Sequence, residues 1–173
     1  MQEHNSTSNL VIWVPTPYEI VRHMLVLAEV SPADIVYDLG CGDGRVLILA
    51  AKDFNAKKAV GYELRQDLCK ISRKVIQELG LQDRITIANR DFRDADFSEA
   101  SVVTLYLTTD VNQMLFLDLI SNLRPGSRVV SYLFPISGWL PVKEVDLEGI
   151  AFIEGKFIGK LYPYLVPQAF LNT

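Results

Sequence analysis

One ten-residue stretch limits the possible folds of this chain more than any other: Val36-Tyr37-Asp38-Leu39-Gly40-Cys41-Gly42-Asp43-Gly44-Arg45. An apolar run ends in an acid and passes through three glycines at alternate positions into a helix-forming segment, Arg45 to Lys52. Residues without a Cβ let the backbone turn sharply and leave the main chain open to a ligand. The same alternation of short apolar runs and longer periodic segments continues downstream, the pattern of parallel strands joined by right-handed helical crossovers. Strands are predicted at Ile35 to Asp38, Ala59 to Glu63, Ile85 to Asn89, Val102 to Leu107 and Arg128 to Tyr132. Helices are predicted at Arg45 to Lys52, at Asp67 to Leu79 before Gly80, and at Val111 to Leu123 before Pro125-Gly126. Upstream, Thr16-Pro17-Tyr18-Glu19 reads as a capping box opening a helix from Pro17 to Val30. Beyond Pro135 the pattern changes. Val142 to Val145 and Lys160 to Leu165 read as strands with little helix between them, an antiparallel finish, and Gly149 to Gly159 shows no firm period. The expected fold is α/β: a Rossmann-like, doubly wound, mostly parallel seven-stranded sheet with an antiparallel C-terminal strand. It forms a single minimal domain over 11–173 behind a flexible tail, 1–10.

Composition narrows the function. Among 173 residues, 17 Lys+Arg stand against 21 Asp+Glu, a net charge of -4. That is the wrong sign for holding nucleic acid by phosphate neutralisation. Cys41 and Cys69 are the only cysteines, which excludes a disulfide framework or a Cys/His zinc site and fits a reducing compartment. The longest apolar runs, such as Val46 to Ala51, fall far short of the ~20 residues that span a bilayer. Met1 to Leu10 lacks the basic start and apolar core of a secretory signal, so the cytoplasm is the expected compartment.

The glycine spacing also selects a ligand. A dinucleotide fingerprint puts its third glycine five residues after the first, whereas Gly44 follows Gly40 by four. With an acid two residues before the first glycine, this favours S-adenosylmethionine over NAD. Glu63 closes the second strand 23 residues beyond Gly40, near the ~20 at which a carboxylate meets ribose hydroxyls. Asp91-Phe92 follows the third strand, where an acid can accept from an adenine amino group and a ring can lie against the purine. The plain alternatives are a tight turn without a ligand, a solvated strand-end glutamate, and a loop aspartate that caps its own turn.

These residues resemble the class I, seven-β-strand S-adenosylmethionine-dependent methyltransferases. Val14-Pro15-Thr16-Pro17, Tyr37 to Arg45, Ala59 to Leu64, Leu107-Thr108-Thr109-Asp110-Val111-Asn112 and Arg128 to Ser131, with Phe134 and Trp139, are similar to the archaeal protein-lysine methyltransferases and their mitochondrial eukaryotic relatives. The likeness runs from about residue 12 to 167. It implies that Asp38, Gly40, Gly42 and Gly44 hold the methionine portion, Glu63 the ribose, and Asp91 and Phe92 the adenine. Thr16 meets the cofactor carboxylate at a helix start, and Cys41, Leu64 and Tyr106 lie at the same cofactor. Trp13 stands where archaeal members often have tyrosine, and Tyr132-Leu133 replaces a more polar pair.

Tyr106, Thr108, Thr109, Asn112 and Phe134 follow the fourth and fifth strands on the cofactor side, which makes them candidates for the channel that aligns an acceptor amine; Tyr106, Thr108, Asn112 and Phe134 are the catalytic candidates. Core packing is the plain alternative for Tyr106 and Phe134. Asp110 is either a proton acceptor through water or the N-cap of the following helix. The implied partners are proteins with exposed lysines, without membrane, with nucleic acid disfavoured and a monomer expected. Three rivals stay open: a nucleic-acid methyltransferase, a small-molecule methyltransferase, and a cofactor-binding module without catalysis. Against the first, no Pro-Pro-[Tyr/Phe] element follows the fourth strand.

Overall fold

The computed structural model describes residues 13–147, 151–152, 155–156 and 159–167. The tail assigned to 1–10 lies outside them. In chain order the elements are α1 Tyr18–Leu27, β1 Ile35–Leu39, α2 Arg45–Lys52, β2 Lys58–Tyr62, α3 Gln66–Glu78, β3 Ile85–Ala88, a 3-10 turn Phe92–Asp94, β4 Val102–Leu105, α4 Thr109–Asn122, β5 Arg128–Tyr132, β6 Val145–Asp146, β7 Ala151–Phe152, β8 Gly155–Lys156 and β9 Lys160–Leu165. Seven strands form one sheet in the order β3-β2-β1-β4-β5-β9-β6, and β7 pairs with β8 in a separate ladder. The first five are parallel to one another, and β9 runs antiparallel between β5 and β6. The expected sheet is therefore present.

Alternation along the strands explains how it is covered. Val36, Ala59, Ile85 and Val102 share one face, where they meet α1, α2 and α3, while Tyr37, Val60 and Val103 point the other way toward Leu115 and Leu119 of α4. Strands covered on both faces read as near-continuous apolar runs, as Val102–Leu105 does, buried at every position.

Most predicted boundaries shift by one to three residues, β4 for instance ending at Leu105 and not Leu107 and α1 at Leu27 and not Val30, and three of the differences have identifiable reasons. The N-cap of α1 is Pro17, without a side-chain capping bond; the Val21 N–H donates to the Pro17 carbonyl at 3.0 Å. The helix thus starts one residue late, and Thr16 does not close the predicted box. Thr108, not Asp110, is the N-cap of α4, and Asp110 sits inside its first turn. The strand predicted from Val142 to Val145 is only Val145–Asp146: the Val142 N–H still donates to the Pro163 carbonyl of β9 at 2.8 Å, but Pro163 has no N–H to return.

The amino ends of β1, β4 and β5 are tied together by Asp34. Its carboxylate accepts from the Ser31 N–H and hydroxyl, each at 2.8 Å, from Ser101 Oγ at 2.7 Å, and from the Arg128 guanidinium. Burial acts to raise this carboxyl, but Ser101, Ser31 and Arg128 together hold it below the usual range. With that end of the sheet fixed, ligands are left the carboxyl end, beside β1 and β4, where the direction of winding reverses.

Candidate active site

A cavity of about 930 Å³ opens there. Its floor is the glycine turn between β1 and α2. Gly40, Gly42 and Gly44 have φ of +81°, +54° and +80°, values that L side chains rarely adopt. A Cβ on Gly42 would lie 2.4 Å from Trp13 Nε1, so the indole rests directly on the turn. The Gly40 and Cys41 N–H groups both donate to the Tyr62 carbonyl at 2.9 Å, which fastens the turn to the end of β2.

Glu63 follows β2. Its carboxylate accepts from the Gly42 N–H at 2.9 Å and the Arg65 N–H at 2.8 Å, one bond on each oxygen. Each oxygen retains a lone pair, so the group can still accept from a diol while bracing the turn. Asp38, buried at the end of β1, accepts from Thr104 Oγ1 at 2.6 Å. Burial pushes its carboxyl up to about 7, Thr104 opposes the rise, and Glu63 and Asp43 add to it. A carboxyl held so close to neutrality gains most from an arriving cation.

Arg45 ties the turn to the N-terminal segment. Its guanidinium grips Asp43 through Nε to Oδ1 at 2.9 Å and Nη2 to Oδ2 at 2.6 Å, donates from Nη1 to the Thr16 carbonyl at 2.9 Å, and lies 4.9 Å over the Tyr18 ring. Residues 13–16 are thereby held across the cavity, which they help to line.

Of the residues predicted from sequence, Thr16, Asp38, Gly40, Cys41, Glu63 and Leu64 line the cavity, as do Phe92, Tyr106, Thr108 and Phe134. Gly42 and Gly44 shape the turn without lining it. Asp91 instead borders an adjoining hollow of about 220 Å³ shared with Leu64, Phe92 and Val111. The Asp91 carboxylate caps its own turn, accepting from the Arg93 N–H at 2.9 Å and pairing with the Arg93 side chain. Asn112 does not reach the cavity. It is fully buried, and its Nδ2 donates to Ser131 Oγ at 3.2 Å and to the Phe134 carbonyl at 2.9 Å, while its Oδ1 has no partner. Ser131 Oγ donates to the same carbonyl at 2.6 Å. Between them stands Leu133 at φ +66°, with the Phe134 N–H donating back to the Tyr132 carbonyl at 2.9 Å. A residue with positive φ spanned by an i to i+2 bond is a γ-turn, rare and strained outside glycine. Asn112 and Ser131 thus form a clamp that keeps Phe134 on the cavity wall.

Trp13, Arg45 and Ser131 were not singled out as site residues by sequence reasoning. The acid and base in Asp43-Gly44-Arg45 were the available signal for Arg45, whereas the other two are revealed only by the way chain segments meet. Among the described residues, no group of three or more His, Cys, Asp or Glu side chains could hold a metal ion.

A glycine turn at the switch point, an acid after β2 and a sheet of this order together define an S-adenosylmethionine-dependent methyltransferase. The chain belongs to the ANTKMT methyltransferase domain family, whose model matches residues 38–143. It is 46% identical to a protein-lysine N-methyltransferase of Saccharolobus islandicus (strain REY15A) over 91% of this chain and 95% of that one. It is 34% identical to the mouse adenine nucleotide translocase lysine N-methyltransferase over 72% of this chain, spanning 54% of that protein. Among solved structures, one described as an RNA methyltransferase from Salinibacter ruber, in complex with S-adenosyl-L-homocysteine, is 42% identical with a TM-score of 0.82, covering 92% of this chain and 98% of that one.

Proposed function

We infer that the acceptor is the ε-amine of a protein lysine, so that the chain is a protein-lysine N-methyltransferase. The observation that carries this reading is the acceptor side of the cavity, where Trp13, Val14, Tyr106, Leu107 and Phe134 present apolar and aromatic surface without an unpaired cation. The likeness to the Saccharolobus enzyme along nearly the whole of both chains supports it.

S-adenosylmethionine, when bound, supplies an activated methyl on a positive sulfonium. The chain's own residues have three tasks. Asp38, the glycine turn, Glu63 and Thr16 bind and orient the cofactor, with Leu64, Cys41, Asp91 and Phe92 around its adenosine. Phe134 and Thr108, with Tyr106, align the amine for in-line attack, while Asn112 acts through Phe134 as a positioning residue. The apolar wall excludes water and disfavours the ammonium form of the lysine, whose ordinary pKa of ~10.4 lies about 3.4 pH units above neutrality, roughly 4.6 kcal/mol. No strong base is needed. Burial holds the Tyr106 phenol above its ordinary range, so it stays protonated.

The name of the Salinibacter structure favours RNA as a second reading. Against it, three of the cations near the cavity are paired with carboxylates, Arg45 with Asp43, Arg65 with Asp67 and Arg93 with Asp91, and Arg90 lies over the Tyr62 ring. Phosphate contacts need free Lys or Arg. Both cysteines are buried free thiols, in keeping with a reducing compartment, and among the described residues no helix is long and apolar enough to cross a membrane. A cytoplasmic monomer acting on lysine-bearing proteins is the proposed setting.

The test is to incubate the purified protein with methyl-labelled S-adenosylmethionine and a heat-treated cell extract, then hydrolyse the labelled protein and identify the methylated amino acid. Methyl-lysine is expected. Label confined to RNA or to small molecules would overturn the reading, and no label despite cofactor binding would leave a module without catalysis.

A further inference from the structure

We propose that the outward stripe of α4 docks the polypeptide carrying the acceptor lysine, and that it takes a segment in which an apolar side chain is flanked by cations. The proposal rests on the protein-lysine reading above and specifies its substrates. Among the described residues α4 is the lone α-helix on its face of the sheet. It buries Asn112, Leu115 and Leu119, yet its apolar residues do not gather on that side. Asp110, Gln113, Met114, Leu117 and Asp118 recur at i, i+3, i+4, i+7 and i+8, the spacing of a single helical face, and all five are exposed. Met114 and Leu117, in the middle of the stripe, are 59% and 66% exposed.

Chemistry chooses the occupant. Asp110 and Asp118 have no ion-pair partner among the described residues, and α4 contains no Lys or Arg. Two unpaired carboxylates about 12 Å apart, at 1.5 Å per residue, bracket the apolar pair and favour cations on both sides of an apolar anchor. An RNA backbone is repelled by the same charges. The methionine thioether adapts to different apolar partners, which suits an enzyme acting on several proteins. The stripe is also continuous with the cavity: Thr108 and Val111 at its N-terminal end line it, and Met114 and Asp118 border the adjoining hollow. An extended chain covers the 12 Å in about four residues, so selection is expected three to six residues from the lysine.

The test uses two synthetic peptides with one acceptor lysine each, carrying Arg-Leu-Arg or Glu-Ser-Glu at that distance, and measures their affinity for the S-adenosylhomocysteine-bound protein by fluorescence anisotropy. The wild type is expected to prefer the Arg-Leu-Arg peptide at least tenfold. The double variant Gln113→Lys, Leu117→Lys is expected to lose that preference while keeping its melting temperature and cofactor affinity, and Asp118→Asn to lose part of it. Equal affinity of the wild type for both peptides would overturn the proposal, as would a variant that keeps the preference. A wild-type dimer that the double variant dissociates, with peptide preference unchanged, would make the stripe a self-association face and overturn it too. In the labelling experiment, label in methyl-lysine without peptide discrimination refutes the docking surface alone, whereas label confined to RNA refutes the lysine reading and the docking proposal with it.

Discussion

Asp38 and Glu63 are both carboxylates at strand ends, yet their environments divide the work between them. The Asp38 carboxyl, raised by burial to about 7, titrates near ~3.9 in the unfolded chain. Between about pH 4 and pH 7 the folded protein therefore holds this proton more tightly, and the group subtracts stability as pH rises through that window, with no further change above it. With Asp38 proposed to hold the methionine portion, cofactor binding should follow the opposite course, since the ionised form would attract its ammonium. Affinity for S-adenosylmethionine is expected to rise from pH 6 to pH 8 in calorimetry, with Asp38→Asn abolishing the step; a flat profile in the wild type would remove Asp38 from the cofactor. Glu63 works through hydrogen bonds. Glu63→Ala is expected to weaken cofactor binding by about 1–3 kcal/mol, because it removes both the proposed ribose acceptor and the brace on the Gly42 N–H. Unchanged affinity would exclude it from the ribose site.

For the elements, the β5 to α4 clamp shows where function depends on local geometry. Leu133 is held at φ +66°, and strain of this kind, about 1–3 kcal/mol, persists only where neighbours over-determine it. Here the neighbours are Asn112 and Ser131, which share the Phe134 carbonyl. Ser131→Ala is expected to lower turnover on lysine about tenfold while leaving the cofactor dissociation constant within twofold; equal turnover would show that Phe134 needs no clamp. Sequence made three elements legible to the residue, Arg45 to Lys52, Arg128 to Tyr132 and Lys160 to Leu165, each with a glycine just before it. The clamp was illegible: Asn112 and Ser131 lie in stretches that carry the resemblance, and Asn112 reads there as a channel residue, but nothing local pairs the two, which meet only in the folded chain. Thr16 misled for a related reason. A local capping pattern outlined the helix, whereas tertiary contact with Arg45 determines how the Thr16 backbone is used.

For the whole molecule, the two ends of the sheet are separable. The Asp34 knot joins the amino ends of β1, β4 and β5 away from the cavity, so Asp34→Ala is expected to cost on the order of 3 kcal/mol in denaturant unfolding, the scale for breaking a buried pair. Cofactor affinity, measured where the variant is still folded, should be unaffected; a loss there would couple the two ends. The sheet order and the position of the site at its carboxyl end were readable because strand patterning and the glycine turn are local signals. The face left to α4 was not readable, since it follows from the absence of further α-helices beside α4 among the described residues. The single guanidinium of Arg45 has a kinetic consequence. It grips Asp43 in the turn and the Thr16 carbonyl in the segment that crosses the cavity, and so ties the two together. Substrates are then expected to enter in compulsory order, cofactor before protein, and S-adenosylhomocysteine to inhibit competitively against S-adenosylmethionine but not against the lysine substrate.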